Sequence, residues 1–407
     1  MILLYIDPGT GSMLFTILLG IVSSLIFVFR KFLLNIKFAF SSGKQKELPG
    51  ASHEYVIFSD SKRYFNVFKP ICDEFEKRNI HIDYLTASPD DPALSMGYKN
   101  VHCEFIGEGN RAFARLNTLN ADIVLSTTPG LDVYQWKRSK TVKYYVHIFH
   151  AVDEALGYRM FGMDYYDAIL LTGAFQGDNI RKLEKLRNLP EKELTVTGST
   201  YMDALLEKKE TTPEPEHKKT VLLAPSWGPS AILNRFGTSL IEALLGTDYS
   251  IIIRPHPQSS VSEKEMLDEL MNRFPDSNRL KWSFDNNNFD ALNTSDVMIT
   301  DFSGIIFDYS LVFGKPILYA DTSFDSAPYD AAWVDEPLWR FEVLPSLGKK
   351  LDEKDFPHIG DLLNDLIENP EFSEGRKKVT ETAWQKKTES ARLTVDYLIS
   401  KHKEIEA

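Results

Sequence analysis

The chain has 407 residues, 43% of them hydrophobic and 26% charged, with a formal net charge of −12. That length holds two or three domains around a sizeable core, and an acidic chain with no large basic block argues against a general nucleic-acid binder. Its 2 cysteines, Cys72 and Cys103, match neither a disulfide framework nor a zinc site, which suits a reducing compartment for the soluble part.

Residues 13–29 carry no charge and are dominated by Leu, Ile, Phe and Val, a run of about 17 residues, just long enough to cross a bilayer. Arg30, Lys31 and Lys37 follow it and Asp7 precedes it, so the positive-inside rule predicts a single-pass membrane anchor over residues 1–37 with residues 30–407 in the cytoplasm. The stretch lacks a basic leading region and a small-residue cleavage pattern, which separates it from a signal peptide. A membrane hairpin across Pro8-Gly9 is the alternative geometry. Residues 38–52 read as a juxtamembrane linker.

From residue 54 the chain alternates apolar runs of strand type with amphipathic stretches. Runs at 55–58, 80–85, 101–106, 123–126, 143–149 and 168–171 frame helical patterns at 65–78 and 110–120. This is the rhythm of βαβ units with a parallel sheet buried on both faces. A polar, proline-interrupted stretch at 208–219 interrupts it and reads as an interdomain connection. A second α/β series follows, with strands at 220–224, 249–253 and 317–319 and helices at 237–245 and 262–274. The expected organisation is an N-terminal Rossmann-like domain (53–209), a linker (210–219), a second Rossmann-like domain (220–375) and a C-terminal helix (376–407) packing across the boundary. Ligands in such folds bind at the carboxyl ends of the strands.

The most informative stretch is 295–319. The apolar run Val297-Met298-Ile299 meets Thr300-Asp301, then Ser303-Gly304 opens a segment whose apolar residues Ile305, Ile306, Tyr309, Val312 and Phe313 recur at helical spacing. A strand, a tight turn and a helix are expected, with backbone N–H groups and the Ser303 hydroxyl converging on a phosphate or pyrophosphate; an ordinary β-turn-α unit capped by Ser303 or Asp301 has the same pattern. Two further groups follow strands. Arg254-Pro255-His256-Pro257 ends one, because proline has no N–H for a ladder, and an Arg fork with a histidine suits phosphate oxygens. Ala224-Pro225-Ser226-Trp227-Gly228 ends another. In the first half, His147 reads as a core histidine. His150, at a strand terminus beside Asp153 and Glu154, is a candidate general base supported by a neighbouring carboxylate.

Taken together, His150 after a strand, Ala-Pro-Ser-Trp at 224–227, Arg-Pro-His-Pro at 254–257, and Thr-Asp-Phe-Ser-Gly at 300–304 with Phe307-Asp308-Tyr309 resemble the CDP-glycerol glycerophosphotransferases of teichoic acid and related polymer synthesis. The resemblance spans residues 144–319. It implies a GT-B-like pair of Rossmann domains, a CDP-glycerol or other CDP-polyol donor held mainly by the second domain, and transfer of the polyol phosphate to a hydroxyl of a lipid-linked or glycan acceptor with release of CMP. It also assigns roles: His150 as base, Arg254 and His256 on the donor phosphates, Asp301, Ser303 and Asp308 in the pyrophosphate turn and its support. Two departures stand out. The family usually follows its first histidine with Gly-Thr-Pro-Leu-Lys where this chain has Ala151-Val152-Asp153-Glu154-Ala155, and the second of two adjacent serines is Gly304 here.

The expected chemistry is direct displacement at the β-phosphorus, with His150 and His256 catalytic and Ser226, Trp227, Arg254, Thr300, Asp301, Ser303, Gly304 and Asp308 binding the donor. No Asp-X-Asp motif follows a strand, so no metal or other cofactor is expected. The alternatives are a GT-B enzyme acting on a nucleotide sugar, and a catalytically silent membrane-anchored module that binds a nucleotide or polymer. Neither a P-loop nor a dinucleotide fingerprint follows a strand.

Overall fold

The computed structural model describes residues 52–407 apart from 286, 321–323 and 335. The expected anchor and nearly all of the juxtamembrane linker lie outside the described residues. Among the described residues no helix is long and apolar enough to cross a membrane.

Two parallel sheets organise the chain. The first contains β1 (His53–Ser59), β2 (Ile82–Thr86), β3 (Val101–Phe105), β4 (Asn120–Ser126), β5 (Thr141–Ile148), β6 (Ala168–Leu171) and β7 (Glu193–Val196), in the order β3-β2-β1-β4-β5-β6-β7. The second contains β8 (Thr220–Leu223), β9 (Ser250–Ile253), β10 (Leu280–Trp282), β11 (Val297–Thr300), β12 (Ile317–Ala320) and β13 (Gly348–Leu351), in the order β10-β9-β8-β11-β12-β13. In each sheet the first strand lies inside and the chain winds outward in both directions. The winding direction reverses between β1 and β4 and between β8 and β11, which leaves a crevice at the carboxyl ends there.

Alternate side chains of each strand enter cores on opposite faces, as the two-residue period of a strand requires. Tyr55, Ile57, Ile123 and Leu125 meet the helix Phe65–Arg78, while Val56, Phe58 and Val124 meet Ala112, Leu116 and Trp136. In the second sheet Val221, Ile251 and Ile299 pack on the helix Ile232–Leu245, whereas Leu222 and Met298 share a core with Met202 and Leu205. Those last two belong to the helix Thr200–Thr211, which Ser199 caps by accepting from the Met202 N–H at 3.3 Å. This helix seals the space between the sheets. It also runs into the stretch expected to be linker, so that within 208–219 only residues 212–219 lack regular structure.

Three strands escape the sequence pattern, β7, β10 and β13, and each lies at a sheet edge. An edge strand is buried on fewer sides and needs no continuous apolar run; β13 reads Gly-Lys-Lys-Leu with both lysines exposed. The helix expected at 262–274 is two pieces, Ser259–Ser262 and Lys264–Arg273.

After Ala383 the chain returns to the first half. Trp384 Nε1 and the Ser390 N–H donate to the two oxygens of Asp203 at 2.9 and 3.0 Å, and the helix Ser390–Glu406 then inserts Val395 and Leu398 into the first core. Arg78 pairs with Asp396 at 2.6 Å, Lys401 with Glu193 at 2.6 Å and His402 with Asp122 at 3.0 Å. Leu398→Ala should therefore lower the stability of the first half by about 2–5 kcal/mol, measured as a drop in the urea midpoint; an unchanged midpoint would show that this helix docks only through its rim of charges.

Candidate active site

β9, β8 and β11 are neighbours, so the loops after them emerge side by side. Asp301 ties two of these loops together. Its carboxylate accepts the Ser226 N–H at 2.8 Å and the Ile232 N–H at 2.9 Å. Burial pushes its pKa up to about 6, against these N–H groups and those of Phe302 and Ser303, which favour the ion. The Thr300 hydroxyl donates to the Ala224 carbonyl at 2.7 Å. Thr300 and Asp301 thus set the positions of Ser226, Trp227 and Ser303 from behind.

The expected helix after Ser303 departs from ideal form. It is α-helical over Ile305–Phe307 and a π-helix over Asp308–Phe313, and no side chain caps its start. Gly304 has an ordinary helical φ of −61°, and the space where its side chain would project is open. The wider π turn turns Asp308 inward, where its carboxylate accepts from the Tyr201 hydroxyl at 3.0 Å and Asn288 Nδ2 at 3.4 Å. Burial raises Asp308 to about 7 against those two donors.

His256 is fixed by its own loop. The Gln258 N–H donates to its Nδ1 at 3.1 Å, so the neutral ring carries its proton on Nε2. Burial first, then the Arg63 charge, push its pKa down to about 4 against the pull of Glu263. The ring is therefore a neutral N–H donor near pH 7. Its ring centre lies 6.4 Å from that of Trp227. Arg254, expected beside it on the donor phosphate, turns instead along the sheet edge, donating to Ser283 Oγ at 2.9 Å and to the Asp285 carbonyl.

In the first half, His150 lies just beyond β5, next to the ends of β1 and β4. Its Nδ1 is 3.2 Å from Thr127 Oγ1 and 3.1 Å from the Tyr158 hydroxyl, and the Tyr64 ring packs on it at 5.0 Å. Burial pushes its pKa down to about 4, with Asp153 opposing. The expected carboxylate partner is replaced by these hydroxyls, because both acids are committed elsewhere. Glu154 accepts from the Arg340 N–H at 2.7 Å and from its Nε at 2.8 Å, Asp153 accepts from the guanidinium, and the same guanidinium donates to the Phe302 carbonyl at 2.9 Å. Burial and Asp153 push Glu154 up while Arg340 opposes. Gly157 makes room for this contact, since a Cβ there would meet Arg340 at 2.8 Å. His147 is a core residue, its ring packed among Phe149, Tyr158 and Tyr166.

Between the halves lies a cavity of about 240 Å³. Ser226, Trp227, His256, Ser303 and Gly304 form one wall; Gly157, Tyr329 and Arg340 contribute to the others. Of the residues expected from the sequence, these five meet around one space. Arg254, Thr300, Asp301 and Asp308 do not line it. His150 does not line it either; its partner Tyr158 directly follows the lining residue Gly157. The sequence gives no signal for Arg340: its partner Glu154 is 186 residues away.

Residues 176–332 match the family model described as CDP-Glycerol:Poly(glycerophosphate) glycerophosphotransferase. Over that stretch the chain resembles the CDP-glycerol glycerophosphotransferases. The glycerophosphotransferase-like chain shares its fold with the wall teichoic acid polymerase TagF, in a variant soaked with CDPG, at a TM-score of 0.59 and 15% identity over 94% of this chain and 99% of that one. It is similar in the same way to a putative UDP-N-acetylglucosamine 2-epimerase from Listeria monocytogenes (TM-score 0.55, 15% identity, 87% and 97% covered) and to a glycosyltransferase from Rickettsia africae (0.52, 11%, 87% and 99%). None of the curated proteins matches the glycerophosphotransferase-like chain in sequence.

Two outcomes follow from this geometry. Arg340→Met should cost about 3–5 kcal/mol, because it leaves Glu154 and Asp153 without their buried counter-charge; a urea midpoint equivalent to less than about 1 kcal/mol would remove Arg340 as the tie. Asp308 titrates near 7 in the fold against 3.8 for an unperturbed group, so the folded state holds the extra proton between those values and stability falls as pH rises through that window. Asp308→Asn should lose less stability than the parent chain between about pH 5 and about pH 7.5; parallel curves would contradict the assignment.

Proposed function

We propose that the chain is a membrane-anchored transferase that moves glycerol phosphate, or a related polyol phosphate, from a CDP-activated donor to a hydroxyl of a lipid-linked or cell-surface glycan acceptor and releases CMP. The apolar run at 13–29 supports the anchor and a cytoplasmic placement of the two halves. The observation that carries the chemistry is the shared cavity in which His256, Ser303 and the open face of Gly304 converge between the facing strand ends.

The donor phosphates lie against that wall. His256 Nε2–H and the Ser303 hydroxyl donate to phosphoryl oxygens, and the missing side chain of Gly304 lets a phosphate approach the backbone. The acceptor oxygen attacks the β-phosphorus, a new O–P bond forms, and the bond to the CMP oxygen breaks. His150 takes the acceptor proton on Nε2, in the tautomer whose Nδ1–H donates to Thr127 or Tyr158. Its lowered pKa keeps it unprotonated and ready at neutral pH. Positioning and charge stabilisation account for most of the rate, as in phosphoryl transfer generally.

The test is a CMP-release assay on the full-length chain in detergent with CDP-glycerol, CDP-ribitol and a set of UDP-sugars, using membrane lipid extract as acceptor. CMP from a CDP-polyol, falling at least about 100-fold in His256→Ala while circular dichroism is unchanged, is the expected result. UDP release from a sugar nucleotide would move the chain to the nucleotide-sugar enzymes, and saturable CDP binding without turnover would make it a binding module.

A further inference from the structure

The turn between β1 and the helix Phe65–Arg78 takes no part in the mechanism above, yet it adjoins His150. We propose that Arg63 on this turn binds the transferred phosphate, a cation that the first half contributes across the cleft; this rests on the glycerophosphotransfer reading.

The turn is built to present one guanidinium. Ser61 Oγ accepts the Arg63 N–H at 3.4 Å and its Nε–H at 3.2 Å, which braces the stem. Among the described residues, the two terminal NH2 groups of Arg63 have no protein acceptor and no carboxylate pairs with it, and the residue is exposed. Its neighbour Lys62 is turned away, its ammonium on Asp90 and its N–H on Ser88 Oγ at 3.0 Å. The next residue, Tyr64, lays its ring on His150 with centres 5.0 Å apart. Arg63 is thus one residue from a ring that touches the candidate base.

The charges agree with this placement. Arg63 adds to burial in holding down both His150, from its own half, and His256, from the other half. The charge of this one guanidinium reaches a histidine of each half. Asp60, the acid on the same turn, makes no ion pair with Arg63, and burial pushes its carboxyl up. Two other guanidiniums near the cleft are spent: Arg340 on Glu154, Asp153 and Phe302, Arg254 on Ser283 and Asp285. A fork with free N–H donors on both terminal nitrogens suits two oxygens of one phosphoryl group. There it would meet charge that grows as the bond to CMP lengthens.

The test compares the full-length chain with Arg63→Gln and Arg63→Lys. Because the side chain is exposed, both variants should fold. Arg63→Gln should lower kcat for CMP release from CDP-glycerol by at least about 10-fold, Arg63→Lys should recover part of it, and inhibition by CMP, which lacks the transferred phosphate, should stay within about two-fold. A kcat/KM within about two-fold of the parent chain, or an equal loss of CMP inhibition, would overturn the assignment. Should the parent chain release no CMP, the transfer reading fails by itself, and calorimetric titration with CDP-glycerol decides on Arg63: binding at least about 10-fold weaker in Arg63→Gln supports it and equal binding overturns it.

Discussion

The guanidinium of Arg340 is the contact on which the two halves depend. It arrives on the helix Trp339–Leu347, is buried, and meets Glu154 and Asp153 from the first half and the Phe302 carbonyl from the second. A buried cation is costly unless its donors are nearly all satisfied, and here the two acids after β5 and a carbonyl after β11 satisfy them. The cost of leaving any of these groups unpaired fixes where β5 and β11 end relative to each other. His150 and Ser303 follow those strands by a few residues, so a charge contact sets the geometry of the site.

A second set of contacts extends this tie along one side of the cleft. Asp330 accepts from the Phe161 N–H at 2.8 Å and pairs with Arg187, whose guanidinium also sits over the rings of Phe161 and Trp333 at 4.7 and 5.0 Å. Tyr329 bridges to Arg159 and lines the cavity. On the opposite side the Trp384–Asp203 bond leads the chain back to the first half. The halves are joined at several places, and the cavity is the space these joints leave open.

Much of the site was legible because it lies on strand ends. Ile251-Ile252-Ile253 halted by Arg254-Pro255-His256-Pro257, and Val297-Met298-Ile299 followed by Thr300-Asp301-Phe302-Ser303-Gly304, announce where buried parallel strands stop. Strand order then makes these ends neighbours. What the pattern cannot carry is side-chain direction. Arg254 follows the same strand as His256 but folds toward Ser283 and Asp285, and Asp301 spends its charge on the backbone of residues 226 and 232. Asp308 is turned inward by a π-helix that apolar spacing does not distinguish from an α-helix.

The sequence by itself determined the alternation of apolar strands and amphipathic helices, and hence two doubly wound sheets, because burial on both faces of a parallel sheet demands continuous apolar runs. It also determined the chemistry-bearing loops, since proline and glycine act on their own backbone. The edge strands β7, β10 and β13 were decided by the tertiary structure, where an already formed sheet supplies the hydrogen bonds that a weak apolar pattern does not call for. So were the partners of His150 and the pairing of Glu154 with Arg340. The partners of His150 come from neighbouring loops of its own half, which the strand order of the first sheet brings together, whereas Glu154 and Arg340 are 186 residues apart and only the packing of one half against the other brings them within hydrogen-bond distance.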